Sequence, residues 1–449
     1  MNGGAQHILE AFHRHNISTV FGYPGGCIMP LYDALVDDVG VEHVLCRHEQ
    51  GCALAADGYA RASGKLGVCI ATSGPGATNL IPMLVITGQV PSGLIGTDAF
   101  QETDVLGMTL GIVKHSYLID DADSLPAIME EAIELAESGR PGPVWIDIPK
   151  DLLLSEVADA PFSQSEPCET GSPDLTEALA MLRAARKPLL YSGGGISLAH
   201  AEDRFRTFAE TSALPAVVTL KGIGNPGKHN PYNLGMLGMH GSRAANKAVD
   251  ECDLLLVIGA RLDDRATGKL DGFAPNAKLI HIDADAAEIN KLRDADLAIR
   301  GDLNAILESL AGALQAAPLA ISEWQKQCRT WYTTGGFHAA DNEEPLAPIT
   351  GPAFIRQLSR IAPDDTVIAC DVGQHQMWVA QHYEFDHPRH HLTSGGLGTM
   401  GYGLPAAIGA QFADRNSTVI NVTGDGSFMM NAQDLATIRR YNLPVKLIV

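Results

Sequence analysis

Near the carboxyl end of the chain, VINVTGDGSFMMN carries one carboxylate, Asp425, between Gly424 and Gly426, after a strand-like run and before a helix-like one. Such a carboxylate can bind a hard Mg²⁺ while its small neighbours let a phosphate approach the backbone, so the spacing suits a phosphate held through a cation. A lone Asp-Gly turn is usually structural. This one has company: DVGQHQMW (Asp371 to Trp378) and SGGLGTMGYGLPAAIGA (Ser394 to Ala410) also follow strand-like segments and are expected to line the same crevice. Towards the amino end, VFGYPGG sets Gly25 and Gly26 beside Pro24, and LCRHEQGCALAADGYAR puts Glu49 at the start of a small-residue helix. There a carboxylate can contact a cofactor, neutralise Arg47 or cap the helix. TSGPGATN (Thr72 to Asn79) and GTDAFQE (Gly96 to Glu102) add two further polar loops.

In the middle of the chain KPLLYSGGGIS reads as a strand entering a glycine turn, and CDLLLVIGARLDDR as a buried strand leaving into a polar loop. LIHIDADAAEIN reads as a strand ending in acids before another helix. Ligands of open parallel sheets favour the carboxyl ends of strands, where several loops converge. Gly193, Gly194 and Gly195 fall short of the full dinucleotide fingerprint, so taken alone this turn reads as structural.

The elements that hold these loops alternate between apolar strand-like and helix-like runs, which predicts an α/β protein with parallel sheets flanked by helices. A length of 449 residues corresponds to about three domains. Joints fall at 155–173, SEVADAPFSQSEPCETGSP, and at 330–352, TWYTTGGFHAADNEEPLAPITGP, both rich in turn-forming and acidic residues. This gives domains at 1–155, 174–330 and 351–449. A helix PAFIRQLSRI, with Pro in its first turn, follows the second joint. The formal charge of −21 has the wrong sign for a nucleic-acid or anionic-membrane binder, so any anionic ligand needs a local site. Eight cysteines lack any Cys-x-x-Cys pair, which speaks against zinc and oxidative folding. Apolar runs such as Leu254 to Ala260 are far short of the roughly 20 residues that span a bilayer, and no export signal opens the chain. A cytoplasmic location with reduced thiols is expected.

FGYPGG, CRHEQG, TSGPGATN, GTDAFQE, RPGPVWIDIPKD, LGMLGMHG, GARLDDR, DVGQHQMW, SGGLGTMGYGLPAAIGA and GDGSF, taken in order, resemble the catalytic large subunit of acetolactate synthase, or acetohydroxyacid synthase. The resemblance implies a thiamine-diphosphate-dependent carboligase with an N-terminal pyrimidine-binding domain, a central FAD domain and a C-terminal diphosphate-binding domain. Glu49 matches the glutamate that hydrogen-bonds the aminopyrimidine of the cofactor and helps generate its reactive carbanion. Gly25 and Gly26 fall in the same cofactor-binding region. Met400 matches the residue that props the cofactor in its bent form, and Gly398 its backbone partner. Val372, Gly373, Gln374 and His375, with Gly424, Gly426 and Ser427, match the diphosphate loops, and Asp425 the protein ligand of Mg²⁺. Phe100, Gln101, Lys150, Met239 and Arg265 match positions near the substrate channel. Arg140, Gly194, Gly195, Leu237, Gly238, Met239, His240, Gly259, Arg261, Asp263, Arg265, Asp283 and Asp302 match the FAD region, where the flavin serves a chiefly structural role.

The implied reaction decarboxylates pyruvate and ligates the two-carbon unit to a second pyruvate or to 2-ketobutyrate, in valine, leucine and isoleucine biosynthesis. A homodimer and, often, a regulatory small subunit are implied with it. The sequence departs from the family pattern twice. TSGPGATNLI runs directly into PMLVITGQV, a stretch of the family pattern being missing near 81–82, so that either the fold there is locally compromised or residues of the protein are absent from this sequence. The last domain stops soon after GDGSF and is read as incomplete, without the family's Asn metal ligand. Two other functions therefore stand beside the first: another thiamine-dependent decarboxylase or pyruvate oxidase, and an inactive cofactor-binding or assembly subunit.

Overall fold

A computed structural model describes residues 2–80, 84–157, 173–337 and 349–449. The chain forms two compact units, one from Met1–Pro167 with Met400–Asn421 and Asp425–Val449, the other from Cys168–Thr399 with Val422–Gly424.

The first unit is organised by a parallel six-stranded sheet of β1 (Thr19–Gly22), β2 (Glu42–Leu45), β3 (Val68–Ala71), β4 (Leu84–Gln89), β5 (His115–Leu118) and β6 (Val144–Pro149). Its order is β2-β1-β3-β4-β6-β5. Alternate residues feed two cores. Val20, Val68, Ile70, Leu84, Ile86, Val144, Ile146 and Ile148 enter one, while Phe21, Cys69, Ala71, Val85 and Trp145 enter the other. Burial on both faces explains why these strands read as nearly continuous apolar runs. The second face is covered by the helices Glu49–Ser63 and Gly403–Ala413, which contribute Cys52, Ala55 and Tyr59, and Ile408 and Phe412.

These helices pack closely because small residues let their backbones meet. A Cβ on Gly409 would stand 2.6 Å from Tyr59 N, and one on Gly58 would stand 2.5 Å from Ala406 Cα. The Tyr402 hydroxyl donates to Asp57 Oδ2 (2.9 Å), which also pairs with Arg61 Nε (2.6 Å).

The segment expected to be compromised retains its sheet. β3 and β4 pair in parallel from Val68–Leu84 to Ala71–Thr87, and their crossover includes a single helical turn, Pro75–Thr78. The position of the expected internal loss, 81–82, lies outside the described residues.

The second unit holds another parallel six-stranded sheet, of β7 (Pro188–Ser192), β8 (Ala216–Val218), β9 (Asn233–Met236), β10 (Leu254–Ile258), β11 (Lys278–Ile282) and β12 (Leu297–Ile299). Its order is β9-β8-β7-β10-β11-β12. From β7 the chain winds one way through β8 and β9 and the other way from β10 onward, so the winding reverses between β7 and β10. The same unit contains the parallel pair β13 (Val367–Cys370) and β14 (His391–Thr393), and the helix Gln374–His382. β15 (Val419–Val422) precedes the helix Asp425–Asn431, and β16 (Lys446–Ile448) is the last strand.

Two sequence expectations are corrected. No helix follows β11: Asp283 Oδ1 accepts from Asp285 N (2.9 Å) and Asp285 Oδ1 from Ala287 N (2.9 Å), side-chain turns that compete with helix formation. The second joint does not start at 330, because the helix Ser322–Gly335 runs through it. Trp331 is held there edge-on against Trp324, with centroids 5.6 Å apart, and under Lys247 Nζ at 4.6 Å. Much of the first joint, 158–172, and residues 338–348 of the second lie outside the described residues. Among the described residues every cysteine is a free thiol, and no helix is long and apolar enough to cross a membrane.

Candidate active site

In the first unit the predicted residues other than Arg140 lie on loops and helices that follow the carboxyl ends of strands. The winding of this sheet also reverses, between β1 and β3. The loops following those strands meet: a Cβ on Gly25 would lie 2.5 Å from Thr72 Cβ, and Cys27 N donates to Thr72 Oγ1 (3.2 Å). Glu49 starts the helix that follows β2. His48, rather than Glu49, caps that helix, with Nδ1 accepting from Gln50 N (3.1 Å). Glu49 Oε2 instead accepts from Asn79 Nδ2 (3.2 Å), and Oε1 lies 3.5 Å from where a Cβ on Gly76 would stand. The TSGPGATN loop thus fixes the carboxylate from the side.

The other face of that loop carries GTDAFQE. Gln101 has φ of 64°, and its Cβ lies 2.9 Å from where one on Gly74 would stand. Phe100 beside it is 88 % exposed, an apolar ring offered to solvent on a loop held by Glu102, which accepts from the backbone amides of Gly96 and Ala99. Lys150 opens the helix Lys150–Leu154 after β6 and is half-buried. Arg140 lies on the loop entering β6, at the amino end of that strand, and thus in the unit without the other expected flavin residues.

Also in this unit, Asp425 opens its helix exposed, with Oδ1 accepting from Gly426 N (2.8 Å). Met400 Cε lies 3.3 Å from where a Cβ on Gly426 would stand. The buried Ser427 hydroxyl has no partner. An unsatisfied buried hydroxyl beside an exposed carboxylate at a helix start fits a metal-bound diphosphate. Among the described residues no three His, Cys, Asp or Glu side chains converge as a metal cage, so a cation here would rely on Asp425, phosphate oxygens and water.

The second unit supplies the remaining expected diphosphate residues. Asp371 directly follows β13 and is fully buried, with Oδ2 accepting from Thr423 Oγ1 (2.7 Å) and Oδ1 left without a partner. His375, in the first turn of Gln374–His382, closes over the glycines: its Cε1 lies 2.8 Å and 3.1 Å from where Cβ atoms on Gly373 and Gly424 would stand. Burial holds its imidazole below the usual histidine range, against the opposing pull of Asp371, and Nε2 is unpartnered. A neutral ring and close-approaching glycines suit the edge of a phosphate pocket. Val372 lies between Asp371 and Gly373, and Gly398, with φ of 62°, sits on the loop after β14.

The expected flavin residues of this unit cluster where the winding of its sheet reverses, at the carboxyl ends of β7 and β10. Gly195 follows β7 and Gly259 follows β10, and the two backbones touch: a Cβ on Gly259 would stand 2.9 Å from Gly195 Cα. Gly259 also has φ of 55°. Asp283 follows β11, with burial raising its carboxyl above the usual range. Asp302 follows β12 and caps the helix Leu303–Ala316 through Asn304 N (3.0 Å). Leu237 to His240 follow β9 and rest on Arg265, whose carbonyl accepts from Met239 N (2.9 Å) and whose Nη1 lies 3.7 Å from Met239 Sδ. Asp263 caps the short helix carrying Arg265, and the carbonyl of Arg261 accepts from Tyr191 OH (3.1 Å). A glycine-lined crevice at a winding reversal, flanked by carboxylates, fits a dinucleotide. GGG alone concealed this, since only the strand order makes the turn a crevice.

Sequence reasoning quoted Asn79 inside a motif without giving it a role, and it missed two buried carboxylates. Asp147 on β6 is fully buried, accepting from Thr87 Oγ1 (2.6 Å) and Gln89 Nε2 (2.8 Å). Burial raises its pKa to about 6 despite those bonds. Gln89 Nε2 also donates to Thr103 O (2.9 Å), tying this network to the loop of Phe100 and Gln101. Asp434 is buried against Gly51 and accepts from Arg47 N (3.0 Å), bracing the turn before Glu49. An acid inside the otherwise apolar VWIDIP was a signal for Asp147; none pointed to Asp434, 387 residues from Arg47.

Three family models match the chain. The model for the N-terminal TPP binding domain of thiamine pyrophosphate enzymes matches residues 2–108, that for their central domain 175–310, and that for their C-terminal TPP binding domain 371–449. Together they define the class, a three-domain thiamine pyrophosphate enzyme with parallel sheets flanked by helices. The chain is 52% identical to the acetolactate synthase isozyme 2 large subunit of Escherichia coli, over 99% of this chain and 82% of that protein. It is 46% identical to the acetolactate synthase large subunit of Parasynechococcus marenigrum (99% and 75%) and 42% identical to a probable one of Methanocaldococcus jannaschii (98% and 79%). The chain belongs to the acetolactate synthase large-subunit family, thiamine-dependent carboligases.

Proposed function

We propose that the chain joins the two-carbon unit left by decarboxylation of pyruvate to a second 2-keto acid, pyruvate or 2-ketobutyrate, serving branched-chain amino-acid biosynthesis in the cytoplasm. The observation that carries this is the Glu49 carboxylate, poised at the carboxyl end of β2 and fixed by Asn79. Thiamine diphosphate, when bound, supplies the acidic carbon and the electron sink that decarboxylation needs. Glu49 holds the aminopyrimidine nitrogen by hydrogen bond and moves a proton there. Met400 props the ring system, and Gly25, Gly26 and Gly398 give it room. Val372, Gly373, Gln374, His375, Gly424, Gly426 and Ser427 hold the diphosphate, with Asp425 as protein ligand to Mg²⁺. Lys150 and Arg265 attract keto-acid carboxylates, Gln101 orients them, and Phe100 and Met239 exclude water.

FAD is assigned to Gly194, Gly195, Leu237 to His240, Gly259, Arg261, Asp263, Asp283 and Asp302 of the second unit. Net carboligation passes no electrons to an acceptor, so the flavin acts as structure. Each unit leaves apolar side chains in solvent near its site residues: Phe100 and, on the helix opened by Asp425, Met429 (70 % exposed) on the first, Leu397 (89 %) on the second. Such side chains support a homodimer, in which a facing copy covers them. A regulatory small subunit is proposed by kinship with large subunits.

Full-length protein supplied with pyruvate, thiamine diphosphate, Mg²⁺ and FAD forms acetolactate on this account. Retention of both cofactors without product would favour the second function, a cofactor-binding or assembly subunit. One observation supports that alternative: the 459 positions aligned with the Escherichia coli isozyme 2 subunit exceed the chain's 449 residues, so the relative carries residues that this chain lacks.

A further inference from the structure

Three contacts within the second unit run between segments that carry the flavin residues and segments that carry the thiamine-diphosphate residues, and one of them passes through Lys221, which neither assignment includes. Lys221 follows β8 and is half-buried. Its stem packs on the glycine turn after β7, with Cβ 3.0 Å from where one on Gly194 would stand. Its ammonium donates to the carbonyl of Thr393, the last residue of β14 and the root of the loop bearing Gly398. Its Cε lies 2.8 Å from where a Cβ on Gly395 would stand. The Thr393 hydroxyl accepts from Gln376 Nε2 (2.8 Å), in the helix opened by the diphosphate loop. The other two contacts run in parallel: Arg261 Nη2 lies 3.6 Å from the Cβ position of Gly396, and Gln381 Nε2 donates to His240 O (2.9 Å).

We propose that Lys221 couples the two cofactor sites, so that FAD binding strengthens thiamine diphosphate binding and the reverse holds by the same factor. The inference rests on the assignment of these loops to the two cofactors. Its physical basis is conformational entropy. The loop after β14 contains Gly395 and Gly398 with φ of 70° and 62°, and glycine-rich backbone loses the most freedom when a ligand orders it. A flavin that fixes the Gly194 turn fixes the Lys221 stem against it, and the charge-assisted bond to Thr393 carries that order to the root of the second loop. The second ligand then has less to order, which is positive coupling without displacement, and linkage makes it reciprocal. A flavin without redox work thereby gains a function in activating the thiamine site.

The test uses the full chain, loaded with FAD or stripped of it, and reads thiamine diphosphate affinity in excess Mg²⁺ by tryptophan fluorescence. Bound flavin is measured separately by its absorbance. FAD is expected to tighten thiamine diphosphate binding about tenfold in the wild type. Lys221→Met keeps the stem and removes the donor; it should lower that ratio at least about threefold, the two parallel contacts carrying the rest, while flavin affinity changes less than about threefold. Lys221→Arg, which keeps a cation of similar reach, should restore most of the ratio. A wild-type ratio preserved in Lys221→Met, or no coupling in the wild type while both cofactors bind, would overturn the inference. Were the wild type to bind neither cofactor, the assignment beneath it would fail and the inference with it. If Lys221→Met does not fold, Lys221→Gln, polar but too short for Thr393, takes its place with the same two outcomes.

Discussion

The Asn79 side-chain amide donates to Glu49 Oε2 at 3.2 Å, so the carboxylate assigned to the cofactor is aimed by a neighbouring loop and not by its own helix. Removing the carboxylate and removing its guide should therefore differ. Glu49→Gln keeps shape and loses the proton acceptor; turnover and the deuterium exchange of the bound cofactor's C2 proton should fall at least about 100-fold, with flavin content unchanged. Asn79→Ala keeps the acceptor and frees its rotamer, a loss of about 1 kcal/mol or five- to tenfold. Equal exchange rates in the wild type and Glu49→Gln would remove Glu49 from its role.

Asp147 gives the chain a pH dependence of known sign. Its carboxyl rises from 3.8 to about 6 because burial disfavours the anion more than Thr87 and Gln89 stabilise it. The folded chain thus retains a proton that the unfolded chain has released between pH about 4 and 6. This contribution to stability is full below the unfolded value and is lost as pH rises through the folded one, a change on the order of 3 kcal/mol. Asp147→Asn cannot titrate. Thermal melts of both proteins from pH 4 to 7 should show the advantage of the wild type shrinking as pH rises. A constant gap would show that Asp147 does not titrate in that window.

What the sequence disclosed follows from the range of the forces involved. The strand before each loop was legible because both faces of the sheets are buried, and the helix start at Glu49 was legible because a small-residue run follows a strand directly, whereas the role of Glu49 came only from the family resemblance. The pairing of Asp371 with Thr423 and the bracing of Arg47 by Asp434 join residues 52 and 387 positions apart, which periodicity does not register. Strand order is equally hidden, so the GGG turn looked structural until β7 and β10 were seen side by side. The helix expected after β11 failed for the opposite reason: its composition suited a helix, but Asp283 and Asp285 satisfied the backbone locally. TWYTTGG resembled a linker because its turn-forming residues outweighed Trp331, whose edge-on packing against Trp324 holds the last turns of the helix.

The packing of Glu49–Ser63 on Gly403–Ala413 depends on the absence of side chains at the crossing. In Gly409→Val the new Cβ would meet Tyr59 N at 2.6 Å and press on the Ala55 carbonyl, neither of which can move without bending the helix that carries Glu49. Overpacking against backbone should cost at least about 2 kcal/mol. Tyr402→Phe removes one donor to Asp57 but leaves Arg61 at 2.6 Å, so its cost should be nearer 1 kcal/mol. Denaturant midpoints that fail to rank the two in this order would refute the packing argument.

Gly259 is the sharpest test of the flavin crevice, because two independent constraints act at one position. Its φ of 55° strains any side-chain-bearing residue, and its Cβ would stand 2.9 Å from Gly195 Cα, where only backbone can yield. Left-handed backbone alone costs about 1 to 2 kcal/mol for a residue with a Cβ. Pushing β7 and β10 apart at their carboxyl ends would then widen the crevice just where a dinucleotide needs close backbone approach. Gly259→Ala should therefore lose at least tenfold in FAD affinity, read as flavin absorbance per chain across a titration. Asp283→Asn, which leaves the glycine contact intact, should lose less. If Gly259→Ala held flavin as tightly as the wild type, the crevice between β7 and β10 would not be the flavin site.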